Sequence, residues 1–249
     1  MRKYGEKNYA VMVTLFNQVC GYHCHSKCSN GSGACVIQKK NTVMGNFLNN
    51  LEMNMFGVEL ASIMKNQEIP FFIISCIEFV EAKGLEYEGI YRKSGPMSQI
   101  NALYASFNKG EHRSLTNPED PFDITAVTSI LKKFFRDMPD PLIPSRYYKD
   151  LIEAMKLPLG DERDASIKMI INQIPADNNI VLSYLIHHLA KVQLYAEKNL
   201  MTASNLGVVF GPTIMRNQQV DTQLDIADSL LKSCLIEHLI LKADSIFHS

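Results

Sequence analysis

An all-α fold is what this 249-residue sequence predicts, and three observations carry the prediction. From Phe56 onward apolar residues recur at three- and four-residue spacing, helix start and stop residues bracket those runs, and the alternation expected of strands is almost absent. A composition of 46% hydrophobic and 20% charged residues suits one globular core, and this length can bury a substantial interior. The net charge of −1 provides no overall field for nucleic acid, so a nucleic-acid partner is disfavoured.

The first clear helix lies in EIPFFIISCIEFVEAKGLE (68–86). Pro70 suits a first helical position, Gly84 a C-terminal cap, and Phe72, Ile73, Cys76, Ile77 and Val80 form one stripe. In DITAVTSILKKFFRDMPDP (123–141) Asp123 caps the start, while Ile124, Val127, Ile130, Leu131, Phe134, Phe135 and Met138 form the buried face. Pro139 and Pro141 stop that helix. RYYKDLIEAMKLP (146–158) and RDASIKMIINQIP (163–175) supply two more. The strongest pattern is NNIVLSYLIHHLAKVQLYAE (178–197), with Val181, Leu182, Leu185, Ile186, Leu189 and Val192 in register. MTASNLGVVFGP (201–212) starts at a Thr202 or Ser204 cap and ends at Gly211-Pro212, and a last amphipathic helix occupies much of 223–247. These make an asymmetric bundle of roughly eight to nine helices, preceded by a short irregular N-terminal segment.

Residues 1–35 differ from the rest. Cys20, Cys24, Cys28 and Cys35 lie within sixteen residues, beside His23 and His25, a clustering that points to metal before disulfides. Residues 36–55 have weak periodicity and read as a linker. The N-terminal apolar run is broken by Thr14 and Asn17 and makes a poor signal peptide. The longest apolar run, residues 69–77, is far below the roughly 20 residues of a spanning helix, so the chain is expected to be soluble and cytoplasmic.

Three features carry candidate function. The loop EGIYRKSG (88–95) places Arg92 and Lys93 among Gly, Ser and apolar residues. Either they are solvated charges flanking a turn, or the loop presents Arg92 to a partner. On the helix from Asp123, Lys132 and Arg136 are four residues apart and form one basic edge away from the apolar stripe. That edge is a solvated face or a binding one. Asn205 is an amide among apolar neighbours, suited to bonding a loop carbonyl or a partner.

Taken together and in order, GIYRKSG (89–95), LKKFFRDMPDPLI (131–143) and NLMTASNLGVVFGPTIMR (199–216) resemble the Rho GTPase-activating (RhoGAP) domain over about residues 56–247. The resemblance implies that Arg92 is the arginine finger, that Lys132 and Arg136 steady its loop and contact the GTPase, and that Asn205 contacts the GTPase near its nucleotide. The implied partner is a GTP-bound small GTPase of Rho, Rac or Cdc42 type, with no cofactor in the chain itself. The alternative is a scaffold that holds the GTPase without activating it. CGYHCHSKCSNGSGAC (20–35) is similar to the C-terminal end of the phorbol-ester/diacylglycerol zinc module of protein kinases C and chimaerins. Cys20, His25, Cys28 and Cys35 match, but Asn17 stands where a cysteine is expected and the upstream ligands are absent. Each of the two implied sites keeps two ligands, Cys20 with Cys35 and His25 with Cys28, where structural zinc normally takes four. Residues 1–35 are therefore expected to be a truncated remnant that binds neither metal nor membrane lipid.

Overall fold

The computed structural model of the chain describes residues 54–64, 68–111, 115, 122–217 and 228–247. Cys20, His25, Cys28 and Cys35, with nearly all of the 36–55 linker, lie outside them. Eleven α-helices and one 3-10 turn make up the described secondary structure, with no strand among those residues. In chain order the helices are α1 (Leu60–Ile63), α2 (Phe71–Lys83), α3 (Met97–Asn108), α4 (Ile124–Asp137), α5 (Tyr148–Lys156), α6 (Asp161–Ile171), α7 (Ala176–Gln193), α8 (Ala196–Asn199), α9 (Ala203–Ile214), α10 (Ser229–Leu241) and α11 (Ala243–Phe247). Residues Ser145–Tyr147 form the 3-10 turn that leads into α5. No helix among the described residues is long and apolar enough to cross a membrane.

Helix α4 packs against α2, α3 and α9. Its N-cap is Asp123, whose carboxylate accepts from the Thr125 amide at 2.7 Å and satisfies one of the amides left open at a helix start. Val127, Ile130, Leu131, Phe134 and Phe135 are buried as the spacing requires, whereas Ile124 is only half-buried at the rim. Phe134 joins Phe56 and Phe72 in a cluster of rings with centroids 5.2–5.8 Å apart, mostly edge-on, the arrangement that ring quadrupoles favour. Each such ring contributes about 1.5–3 kcal/mol by leaving water.

The far end of α4 depends on a residue remote in sequence. Arg216 donates to the carbonyls of Arg136 at 2.6 Å and Met138 at 2.8 Å, covering acceptors that the helix end leaves open. The proline-rich exit is then held by Asp140, which accepts from the amide and hydroxyl of Ser145 at 3.0 and 2.9 Å.

Helices α9 and α10 approach closely because glycines face the contact. A Cβ at Gly207 would lie 2.3 Å from the Ser233 carbonyl oxygen, and one at Gly211 3.2 Å from the Lys232 carbonyl carbon and the Ser233 amide nitrogen. Thr202 is the cap of α9, accepting from the Asn205 amide at 3.2 Å. The expected stop at Gly211-Pro212 is overturned, since α9 runs to Ile214 with Pro212 inside it. Proline deletes one bond, to Val208, and both residues are exposed, so water can serve that carbonyl in the last turn. The last helix differs too. It breaks at Lys242, and α10 is buried on most of its circumference rather than on one face. Helix α3 was not anticipated, because its Ser and Asn residues dilute the apolar period.

Candidate functional site

Between α2 and α3 the chain turns twice around Gly89, whose φ of +72° is the left-handed conformation that glycine adopts without strain. The Gly89 carbonyl accepts from the amides of both Arg92 and Lys93 at 2.9 Å, which closes the turn. The Arg92 side chain is exposed, with no hydrogen-bond or ion-pair partner among the described residues. Lys93 leans back on its own loop, 3.4 Å from Glu88 and over the Tyr87 ring at 5.3 Å, as expected of a solvated surface cation.

Four contacts hold this turn. Its start is tied by the Gly89 amide, which donates to the Asn199 carbonyl at 2.7 Å. Asn199 is fully buried and donates its side-chain amide to the carbonyls of Leu85 at 2.7 Å and Val192 at 2.9 Å, so it joins the end of α8 to the entry of the loop. Its middle is tied by Lys132, whose ammonium donates to the Tyr91 carbonyl. Its exit is tied by the Gly95 amide, which donates to the Ser129 hydroxyl at 3.1 Å. Tyr91 itself sits at φ +67°, a strained region for a bulky residue that costs about 1–3 kcal/mol and persists only where the surroundings enforce it. The fourth contact enforces it from inside: the buried phenol is 2.6 Å from His188 Nε2.

Gly95 does not serve as a second flexible hinge, the role its place beside the turn suggests, since its φ is not in the left-handed region. It is a contact glycine. A Cβ there would lie 2.4 Å from the Ala126 Cα and nitrogen, so only glycine lets the loop rest on the first turn of α4.

Lys132 is therefore less a solvated face than half of a loop clamp. Burial, with a smaller contribution from the Arg136 charge, lowers its ammonium pKa to about 8. Arg136, one turn on, stays exposed. Asn205 donates its side-chain amide to the Leu200 carbonyl at 2.8 Å, which is the loop-carbonyl role weighed for it, and its amide oxygen has no partner among the described residues. Beside it Val208 and Leu200 are 61% and 49% exposed, an apolar area bordering the polar one.

The three sequence blocks are thus bonded to one another: the first to the second through Lys132, the first to the third through Asn199, and the second to the third through Arg216. A family profile described as the RhoGAP domain matches residues 70–219, which include all three. The chain belongs to the RhoGAP domain family. Rho GTPase-activating protein 35 of Canis lupus familiaris is 36% identical over 199 residues, 80% of this chain but 13% of that protein. Beta-chimaerin of Rattus norvegicus is 32% identical over 232 residues, covering 92% of this chain and 75% of the relative. The RhoGAP fold is also that of human Rho GTPase activating protein 15, whose crystal structure superposes with a TM-score of 0.73 at 30% identity, over 84% of this chain and 100% of that one.

Asn199, Ser129 and His188 were not singled out in the sequence. Asn199 stands six residues before Asn205 in the same block, which was the one available signal. Among the described residues no group of three His, Cys, Asp or Glu side chains is disposed to hold a metal ion.

Proposed function

We propose that this chain is a GTPase-activating protein for a Rho-family small GTPase, acting on the GTP-bound state by inserting Arg92 into the nucleotide site. The observation that carries the reading is the contrast within the loop: the Arg92 side chain is exposed and without a hydrogen-bond or ion-pair partner among the described residues, while the backbone on either side of it is pinned to two helices, α4 and α8. The backbone that carries the guanidinium needs little further ordering when a partner docks.

GTP hydrolysis in such GTPases is slow because charge shifting on the phosphate oxygens in the transition state is incompletely neutralised by their own lysine and Mg²⁺. An arginine delivered into that water-excluded site supplies the missing positive charge, and its planar donor fork meets phosphate oxygens with a defined geometry that lysine cannot reproduce. Lys132 supports the turn that presents Arg92. Arg136, Asn205 and the apolar area beside Asn205 form the surface on which the GTPase docks.

Single-turnover GTP hydrolysis by Rho-, Rac- and Cdc42-type proteins, with and without the chain, tests this reading. Acceleration of at least one of them by several orders of magnitude is expected. Binding of a GTP-loaded GTPase without acceleration would establish the scaffold instead.

Lys132→Met separates stability from function. The folded-state pKa of about 8 lies below the ordinary lysine value, so the folded chain binds fewer protons between about pH 8 and 10.5. Stability contributed by Lys132 therefore rises with pH across that window, and below it the charged side chain is a net cost. Methionine removes that cost. The thermal midpoint at pH 7 is expected to hold or rise, while stimulated hydrolysis falls about tenfold to a hundredfold as the Tyr91 carbonyl loses its donor. A stability loss with full activity would contradict the clamp.

A further inference from the structure

Tyr91, the residue before Arg92, is held at both ends. Its carbonyl accepts from Lys132, and its ring is fully buried and edge-on to Phe210 of α9 at 5.0 Å. Its phenol meets His188 of α7 at 2.6 Å, and from there a chain of polar contacts continues toward the surface. His188 Nδ1 lies 3.0 Å from Glu81 Oε1 on α2, and the other Glu81 oxygen accepts from Lys191 Nζ at 2.6 Å. Two stretches distant in sequence meet in this line: α2 with the loop that follows it, and α7.

The chemistry of the line has one direction. Glu81 is held as a carboxylate, its pKa lowered to about 2 by the His188 hydrogen bond and, against the opposing effect of burial, by Lys191. A carboxylate only accepts, so His188 Nδ1 carries the proton that faces it. Burial favours neutral imidazole, which leaves Nε2 as an acceptor. The Tyr91 hydroxyl must then donate. Neither the His188 ring, 2% exposed as a residue, nor the phenol can reach a partner protein, so the line acts through the backbone it holds.

We propose that Glu81, His188 and the Tyr91 phenol form a positioning chain for the Arg92 guanidinium, holding Tyr91 in its left-handed conformation so that the next side chain leaves the loop in the direction the GTPase site requires. The proposal rests on the reading of Arg92 as the group given to the GTPase. His188 and Glu81 are then positioning residues for GTPase activation. A core hydrogen bond of purely structural value would change stability and leave the stimulated rate per complex unaltered. A positioning chain changes that rate, because misplacement of a catalytic group by about 1 Å costs on the order of a hundredfold.

Tyr91→Phe keeps the ring and its contact with Phe210 and removes only the donor. The stimulated rate at saturating chain is expected to fall about tenfold to a hundredfold, with the half-saturating concentration unchanged within about twofold. His188→Leu is expected to give the same loss. His188→Gln is expected to restore most of the rate, since its amide oxygen can accept from the phenol while its NH₂ donates to Glu81. Should His188→Leu not fold, Tyr91→Phe and His188→Gln decide the matter. Wild-type rates for Tyr91→Phe, a loss confined to half-saturation, or a glutamine variant as slow as Tyr91→Phe would each overturn the chain. Arg92→Ala, run beside them, separates the two readings: if it abolishes stimulation while Tyr91→Phe does not, the positioning chain alone fails, and if it stimulates like wild type, the finger fails and the chain with it.

Discussion

Arg92→Ala is expected to lower stimulated GTP hydrolysis by about 10³–10⁵, the range over which an arginine supplied in trans acts, or roughly 4–7 kcal/mol of barrier. The folded state should be indifferent to the change, since Arg92 is exposed and makes no hydrogen bond or ion pair through its side chain among the described residues. Surface substitutions of that kind stay within about 0.5 kcal/mol. Affinity for a GTPase loaded with a non-hydrolysable GTP analogue should fall much less than the rate, because a group that acts in the transition state contributes little to ground-state binding. Stopped-flow phosphate release and a titration of complex formation read the two quantities separately. A variant as active as wild type would mean that Arg92 merely flanks the turn.

Gly95→Ala is expected to be the most damaging single-methyl change at this site. The added carbon would lie 2.4 Å from the Ala126 Cα and nitrogen and 2.6 Å from the Thr125 carbonyl carbon. These are backbone atoms in the first turn of α4, where Asp123 already fixes the helix start, so no flexible side chain can yield. Either the loop lifts away, breaking the bond from the Gly95 amide to Ser129, or α4 shifts within its packing against α2 and α3. Overpacking of this kind costs about 3 kcal/mol, enough to lower the melting midpoint by about 6–12 °C in a domain of this size. The stimulated rate should fall by about a hundredfold in addition, because the exit tether of the Arg92 loop is lost. Calorimetry and the hydrolysis assay together check both parts. A variant with wild-type melting would contradict the close contact between the loop and the first turn of α4.

Much of the fold was legible beforehand, and the reason is local. The α4 stripe from Val127 to Phe135, the Asp123 cap and the register of α7 all follow from i, i+3 and i+4 spacing, which a helix converts directly into a shared face. The reading failed where local signal and tertiary setting disagreed. Pro212 reads as a stop, yet in an exposed final turn it deletes a single bond that water can replace, so α9 continues for two residues. The last helix reads as amphipathic, yet close packing on α9 at Gly207 and Gly211 buries the side that solvent would otherwise meet.

For the site, sequence alone singled out Arg92, Lys132, Arg136 and Asn205, through residue type, spacing and resemblance. What Lys132 and its loop touch was decided by contacts between distant positions. Lys132 reaches Tyr91 across 41 residues, Tyr91 reaches His188 across 97, and His188 reaches Glu81 across 107. Periodicity reports only neighbours within about two turns, so it can place a lysine on a helix edge but cannot say that its charge goes to a loop carbonyl. In the same way it marks Gly95 as a small residue beside a turn, while the helix backbone pressed against it exists only once α4 has folded into place.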